Sequence, residues 1–141
     1  MKKQFHIRPA RRTDLKTVYA LARNPHLTAP NHQAAERWWI KAFLDERQIF
    51  FVACEGTKVI GFTLGECATG KVAIRHLTTV HPSLRGQGIG TRLMKAFEKE
   101  CRRRGMTCVL CYVSGGKRWE QALKKNGYAS GSIVREYQKF L

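Results

Sequence analysis

The stretch that decides the fold of this chain is Arg85-Gly86-Gln87-Gly88-Ile89-Gly90-Thr91, which follows Val80-His81-Pro82 and leads into a helical run over 92–104. This order predicts a strand, a turn of small residues and a helix whose first backbone N–H groups have no partner within the helix. Glycines in the turn remove the Cβ atoms that would keep a ligand away from those groups. The stretch therefore predicts a binding site for a phosphate group.

Two other glycine-rich phosphate loops do not fit. The dinucleotide fingerprint G-x-G-x-x-G fails at its third glycine, where the chain has Thr91 when the count starts at Gly86. The Walker A loop fails because Gly116-Lys117 is followed by Arg118 rather than by Ser or Thr. Both classes of nucleotide-binding loop are excluded.

The stretch instead resembles the pyrophosphate loop of the GNAT family of N-acetyltransferases. That loop reads Arg or Gln, two residues, Gly, one residue, and Gly or Ala, after a strand ending in V-x-P. Arg85, Gly88 and Gly90 fill these positions. Residues 5–10, the hairpin over 51–62 and the closing run 125–128 also resemble the family, so the resemblance covers most of the chain.

The resemblance implies an α/β fold with a mixed central sheet, splayed fourth and fifth strands and helices on both faces. Periodicity and breaker residues predict strands near 5–9, 49–54, 58–66, 72–80, 107–113 and 128–140, and helices near 13–23, 31–46, 88–104 and 117–125. Trp38, Trp39 and Phe43 fall on or near the buried face of the second helix. No linker or repeat divides the chain, so one domain over residues 1–141 is expected.

The resemblance also implies acetyl-CoA as co-substrate. In the family the splay between the fourth and fifth strands admits the pantetheine arm, which pairs with exposed backbone of the fourth strand. The residues implied as cofactor contacts are Leu77, Thr78, Thr79, Val80, Arg85, Gly86, Gln87, Gly88, Ile89, Gly90 and Thr91.

Acetyl transfer to an amine needs a base, because only the neutral amine attacks a thioester. Period-2 alternation along the fourth strand predicts that Ile74, His76, Thr78 and Val80 share one face. The family often carries a glutamate or histidine at the position of His76, and an imidazole with an ordinary pKa of about 6.5 suits this role. His76 is therefore the first candidate base, and Glu66 near the end of the third strand is the second.

The departing thiolate calls for an acid, and here the chain departs from the family's pattern. Cys111, Gly116 and Leu123 stand where many members have a glutamate, an asparagine and the tyrosine that acts as the acid. Tyr112, Ser114 or Tyr128 could supply this proton, as could solvent or the attacking ammonium, and Tyr112 and Tyr128 are the favoured candidates. Cys111 as an acetyl-accepting nucleophile would need a lowered pKa, so direct transfer is favoured.

The chain is strongly basic, with 26 Lys and Arg against 10 Asp and Glu and a formal net charge of +16. This charge would attract anionic coenzyme A and, equally, nucleic acid, ribosomes or an acidic protein. Five cysteines without an apolar N-terminal segment favour a cytoplasmic protein with no disulfide framework and no membrane partner. Cys108 and Cys111 have no second ligand pair at zinc spacing, so no metal is expected.

Together these features predict an acetyl-CoA-dependent N-acetyltransferase in which a primary amine attacks directly in a ternary complex. The amine belongs to a small molecule or a protein, and the enzyme is a monomer or a homodimer. The alternative is a non-catalytic module that binds acyl-CoA or nucleic acid.

Overall fold

The computed structural model describes residues 4–22, 33–113, 117–135, 137 and 139. The strands are β1 (His6–Pro9), β2 (Ile49–Glu55), β3 (Lys58–Ala68), β4 (Val72–Val80) and β5 (Cys108–Cys111). The helices are α1 (Leu15–Ala22), α2 (Gln33–Asp45), α3 (Ile89–Arg103) and α4 (Lys117–Lys125). In the described part of the chain, no helix is long and apolar enough to cross a membrane.

The strands form a mixed five-stranded sheet in the order β1-β2-β3-β4-β5. Neighbouring strands from β1 to β4 are antiparallel, and β5 runs parallel to β4. β5 pairs with residues 72–75 of β4 only, so the strands separate before β4 ends at Val80. The predicted splay of the fourth and fifth strands is confirmed.

Helices cover both faces of the sheet, as alternation along buried strands requires. On one face, Phe62 and Leu64 of β3 pack with Val18 of α1 and Phe43 of α2. The cluster under α3 on the opposite face includes Ala53, Ile60, Ile89 and Leu93. The predicted α/β architecture is therefore confirmed.

Helix α3 is amphipathic, and its two sides have different surroundings. The side against the sheet buries Leu93, Met94, Phe97 and Cys101. The opposite side exposes the basic residues Arg92, Lys95, Lys99, Arg102 and Arg103. The first side anchors the helix to the sheet, and the second carries positive charge along the length of the helix, from Arg92 in its first turn to Arg103 at its end.

Several sequence predictions differ from the structure. The terminal strands predicted over 128–140 are wrong for 128–135, 137 and 139, which form no strand. β5 ends at Cys111, two residues before the predicted end. Trp38 is 74% exposed although its helix periodicity suggested burial, because the side of α2 that packs on the core carries Trp39, Ile40 and Phe43, and Trp38 lies outside it. The start of the second helix and the predicted break before it lie outside the described residues.

A β-bulge interrupts β4 at His76. Residues 65 and 64 of β3 pair with residues 75 and 77 of β4, so His76 is inserted between two consecutive pairs. Arg75 lies over the Phe97 ring of α3. His76 contacts aromatic rings of α2, and Leu77 joins the core cluster of α1 and α2. The consecutive side chains of His76 and Leu77 therefore point to the same face of the sheet.

The bulge corrects the predicted alternation. Val80 packs against Ile89 and Leu93 of α3, and Thr78 pairs its hydroxyl with that of Thr63 at 2.8 Å. His76 lies on the opposite face, so the prediction that it shares a face with Thr78 and Val80 is wrong. Simple period-2 counting fails because one inserted residue reverses the faces of all residues beyond it.

Candidate active site

The loop before α3 has the geometry of an anion site. Gly86 and Gly88 have φ of +79° and +83°, and Gly88 directly precedes the helix. A side-chain carbon placed on Gly88 would meet nothing within 4 Å. The first turn of α3 has no acidic residue, so its N–H groups and the positive end of the helix dipole are available to an anion.

Helix α4 lies next to this loop and adds a positive charge that sequence reasoning missed. A Cβ placed on Gly86 would lie 2.6 Å from a terminal nitrogen of Arg118, and one on Gly90 would lie 3.4 Å from the Trp119 ring. The spacing of α4 predicts a helix but not the surface on which it packs. Arg118 therefore joins the candidate anion site only through the tertiary structure.

The fork between β4 and β5 lies beside the loop. Beyond Arg75, β4 has no neighbouring strand on this side in the described part of the chain, which leaves a free backbone edge over residues 76–80. Arg85 donates from Nε to the carbonyl oxygen of Val80 at 3.3 Å and so links the loop to the end of β4. The free edge and the anion site are continuous.

His76 and Glu66 lie together on the α2 side of the sheet. His76 Nε2 is 3.3 Å from Glu66 Oε2, and the two side chains are 25% and 40% exposed. The contact lacks hydrogen-bond geometry, and Nε2 is buried without a hydrogen-bond partner among the described residues; the two groups form an ion pair only when the imidazole is protonated. The Trp39 and Phe43 rings lie edge-on to the imidazole at centroid distances of 5.3 and 5.5 Å. The two candidate bases are thus adjacent, and aromatic rings restrict the imidazole.

The two tyrosines predicted as acids lie in different surroundings. Tyr112 follows β5 directly and is 61% exposed. Tyr128 is partly buried on the α3 side, where its hydroxyl donates to Glu98 Oε1 at 2.7 Å and accepts a bond from Arg75 at 3.0 Å. Burial raises the pKa of Tyr128 to about 12. Because Tyr128 is bonded to Glu98 of α3 and His76 packs against α2, the two side chains lie on opposite faces of the sheet.

Possible metal ligands and two positions that depart from the family's pattern also bear on the site. Within the described ranges, no three His, Cys, Asp or Glu side chains come together as a metal site would require. Leu123, at the position of the family's usual tyrosine, is buried in the packing of α4. Gly116, which replaces the family's asparagine, lies outside the described residues.

Comparison with known structures agrees with this architecture. The aminoglycoside N-acetyltransferase AAC(6')-Iy in complex with CoA is 20% identical, with a TM-score of 0.79 over 99% of this chain and 97% of that chain. The PaiA N-acetyltransferase from Thermoplasma acidophilum in complex with coenzyme A is 17% identical, with a TM-score of 0.76 over 93% of each chain. Ard1 from Thermoplasma volcanium is 26% identical, with a TM-score of 0.77 over 91% of this chain and 84% of that chain.

No curated protein sequence matches the chain significantly. The sequence profile described as the acetyltransferase (GNAT) family matches residues 13–128, which run from the turn before α1 to the end of the packed helices. This range includes β4, the anion loop, the His76–Glu66 pair and α4. On this match, together with the shared fold, the chain belongs to the acetyltransferase (GNAT) family.

Proposed function

We propose that the protein is an acetyl-CoA-dependent N-acetyltransferase that transfers an acetyl group to a primary amine by direct attack in a ternary complex. The observation that carries this proposal is the arrangement along β4. One strand leads into the anion loop, presents a free edge and holds His76 beside Glu66. The complexes of structural neighbours with CoA support the same acyl donor.

The residues around the fork fit such a donor. The N–H groups at the start of α3, with Arg85 and Arg118, would hold the pyrophosphate, since both charge and N–H geometry favour an anion there. Backbone groups over 77–80 would bind the amides of the pantetheine arm. Bound acetyl-CoA supplies an activated acetyl thioester. The free edge of β4 ends beside the bulge, which brings the reactive end of such a ligand toward His76.

His76 is the proposed base. Its imidazole would take the proton of the attacking amine, directly or through one water molecule, so that the C–N bond forms as the C–S bond breaks. The Glu66 carboxylate, 3.3 Å from Nε2, would stabilise the imidazolium that results. The inserted residue of a bulge is left out of the regular ladder, so backbone polar groups at His76 are available to polarise the acyl carbonyl.

Tyr112 is the proposed acid for the leaving thiolate. It follows β5 at the fork, and its exposure leaves its hydroxyl accessible to a ligand in the opening. Tyr112 would give its proton to the thiolate and take one back from the solvent, while the base passes the amine proton to the solvent. The number of protons released then equals the number taken up. A Tyr112→Phe variant that keeps full activity with every amine would leave the solvent as the acid.

The basic side of α3 supports attraction of the anionic donor. Lys95, Lys99 and Arg102 are exposed and make no ion pair with a described acidic residue, whereas Arg103 pairs with Glu100. Unpaired charge of this kind raises the encounter rate with an anion and loses its effect as salt screens it. The second-order rate constant for acetyl-CoA should therefore fall with ionic strength.

A panel of small amines and peptide N-termini tests the function. Each is incubated with acetyl-CoA, and release of free coenzyme A thiol is followed. We expect turnover with at least one class of amine. His76→Gln should lower kcat by about 10²–10⁴-fold and alter the pH dependence of kcat, whereas exposed His6→Gln serves as the matched control.

Each other outcome points to a different conclusion. An unchanged pH profile in His76→Gln would move the base to Glu66 or to bulk water. Acetyl-CoA binding without thiol release from any amine would support the non-catalytic acyl-CoA module. Salt-sensitive RNA binding, with no acetyl-CoA binding at concentrations on the order of 100 μM, would support the nucleic-acid module instead.

A further inference from the structure

A buried polar cluster lies directly behind the bulge and is not used in the proposed chemistry. Arg75 is 2% exposed and donates from Nη1 to the Tyr128 hydroxyl at 3.0 Å. That hydroxyl donates in turn to Glu98 of α3 at 2.7 Å. The cluster therefore joins β4, α3 and the segment that follows α4.

Arg75 is buried in unusual surroundings for a charged group. Its guanidinium lies over two aromatic rings, 5.9 Å from the Phe97 centroid and 5.2 Å from the Tyr128 centroid. Its second terminal nitrogen is buried without a hydrogen-bond partner among the described residues. Burial of a guanidinium is costly unless it is paired, so the bond to Tyr128 and the cation–π contacts are needed to hold it.

The cluster contacts the bulge through Arg75, which directly precedes His76 in β4. Gly65 is the partner of Arg75 across the strands, and a Cβ there would lie 2.6 Å from the Phe97 ring. The missing side chain lets the Phe97 ring approach the sheet at the point where Arg75 stacks on it. Arg75 is thereby held toward α3, and the next residue, His76, is the one inserted by the bulge and turned toward α2.

We propose that Arg75, Tyr128 and Glu98 form a positioning network that holds the bulge of β4 at His76 and so directs the imidazole toward Glu66. A bulge can move along a strand when neighbouring side chains do not hold its register. A shift by one residue would place Arg75 or Leu77 at the inserted position and change the direction of His76. In this role Tyr128 acts through His76 rather than on the leaving thiolate.

This inference rests on the proposed function only where activity is measured, so the first test does not use activity. The ring resonances of the histidines are recorded by NMR in the wild type, Tyr128→Phe and Glu98→Gln, and the His76 signal is assigned from His76→Gln. We expect the His76 resonances to move in both variants while those of His6 do not. Exposed Tyr137→Phe is the matched control and should leave all of them in place.

Kinetics then separate positioning from direct acid catalysis. The network predicts that Tyr128→Phe and Glu98→Gln each lower kcat about tenfold with the KM for acetyl-CoA within about twofold, and that the double variant is no worse than the poorer single one. A direct acid would instead give a loss in Tyr128→Phe alone, since Glu98 would touch no reacting atom.

Two results would overturn the inference. One is a set of unchanged His76 resonances in folded Tyr128→Phe and Glu98→Gln. The other is a fully additive loss of kcat in the double variant. If no amine is acetylated at all, the NMR test still decides the positioning network, and only the proposed function fails.

Discussion

Replacement of Gly88 by Asp tests the anion loop, and Gly70 provides a matched control. The two glycines have φ of +83° and +79°, and a Cβ on either meets nothing within 4 Å. Each variant should therefore carry a similar backbone strain of about 1–2 kcal/mol. Gly70 lies in the turn before β4, whose nine residues place it about 30 Å from the loop. Only Gly88→Asp should affect the ligand.

The expected loss of affinity follows from the charge. A carboxylate about 4 Å from a bound phosphate repels it by about 1 kcal/mol in water and about 4 kcal/mol at an effective dielectric constant near 20. The loop is exposed, so a value near 1.5–3 kcal/mol, or about ten- to a hundredfold in Kd, is expected. The same carboxylate would also accept bonds from the free N–H groups of α3 and compete with the ligand.

Calorimetric titration with acetyl-CoA and thermal unfolding measure the two effects separately. We expect a ten- to a hundredfold rise in Kd for Gly88→Asp, no change for Gly70→Asp, and similar losses of Tm in both. Gly88→Ala, which adds strain but no charge, should fall between the wild type and Gly88→Asp. A Kd for Gly88→Asp equal to that of Gly70→Asp would refute the assignment of this loop.

The remaining predictions concern stability. Gly65→Ala should lower the free energy of unfolding by about 2–3 kcal/mol, since the new methyl would clash with the backbone carbonyl oxygen of Ile74 and also press on the Phe97 ring; an unchanged urea midpoint would contradict this. Asp14→Asn should cost about 2–3 kcal/mol, because Asp14 is buried and accepts two bonds from Arg8 at 2.7 and 2.8 Å. Those bonds hold the pKa of Asp14 below its ordinary value, so their stabilisation is complete above the unfolded pKa and is lost as pH falls through the folded one. The stability difference should therefore shrink below about pH 4, and a constant difference in acid would count against the pair. Because burial raises the pKa of Tyr128 to about 12, its phenolate absorbance should appear last in an alkaline titration and be missing in Tyr128→Phe. The associated stability is present below a tyrosine's ordinary pKa of about 10 and is lost as pH rises through the folded value.

The sequence was most informative where function depends on local backbone. The order of strand, glycine turn and helix around residues 80–104 has one main conformational solution, because the turn needs positive φ and the helix begins immediately after it. Strand β4 and helix α4 also have the predicted bounds. Hydrophobic periodicity and helix- or strand-ending residues are local signals that extend over only a few residues. The predictions failed for 128–135, where β-like alternation met no neighbouring strand to pair with.

The sequence by itself determined the family, and it predicted the anion loop and the candidate bases His76 and Glu66, because each depends on residue type and short spacing. Only the tertiary structure decided which side chains meet: the bulge that separates His76 from Val80, the approach of Arg118 to the loop, and the bond between Arg75 and Tyr128. The last joins residues 53 positions apart in the chain. Such contacts depend on how strands and helices pack against one another. The position of the one-residue insertion in β4 is set by packing on both faces of the sheet, and no local sequence pattern encodes it.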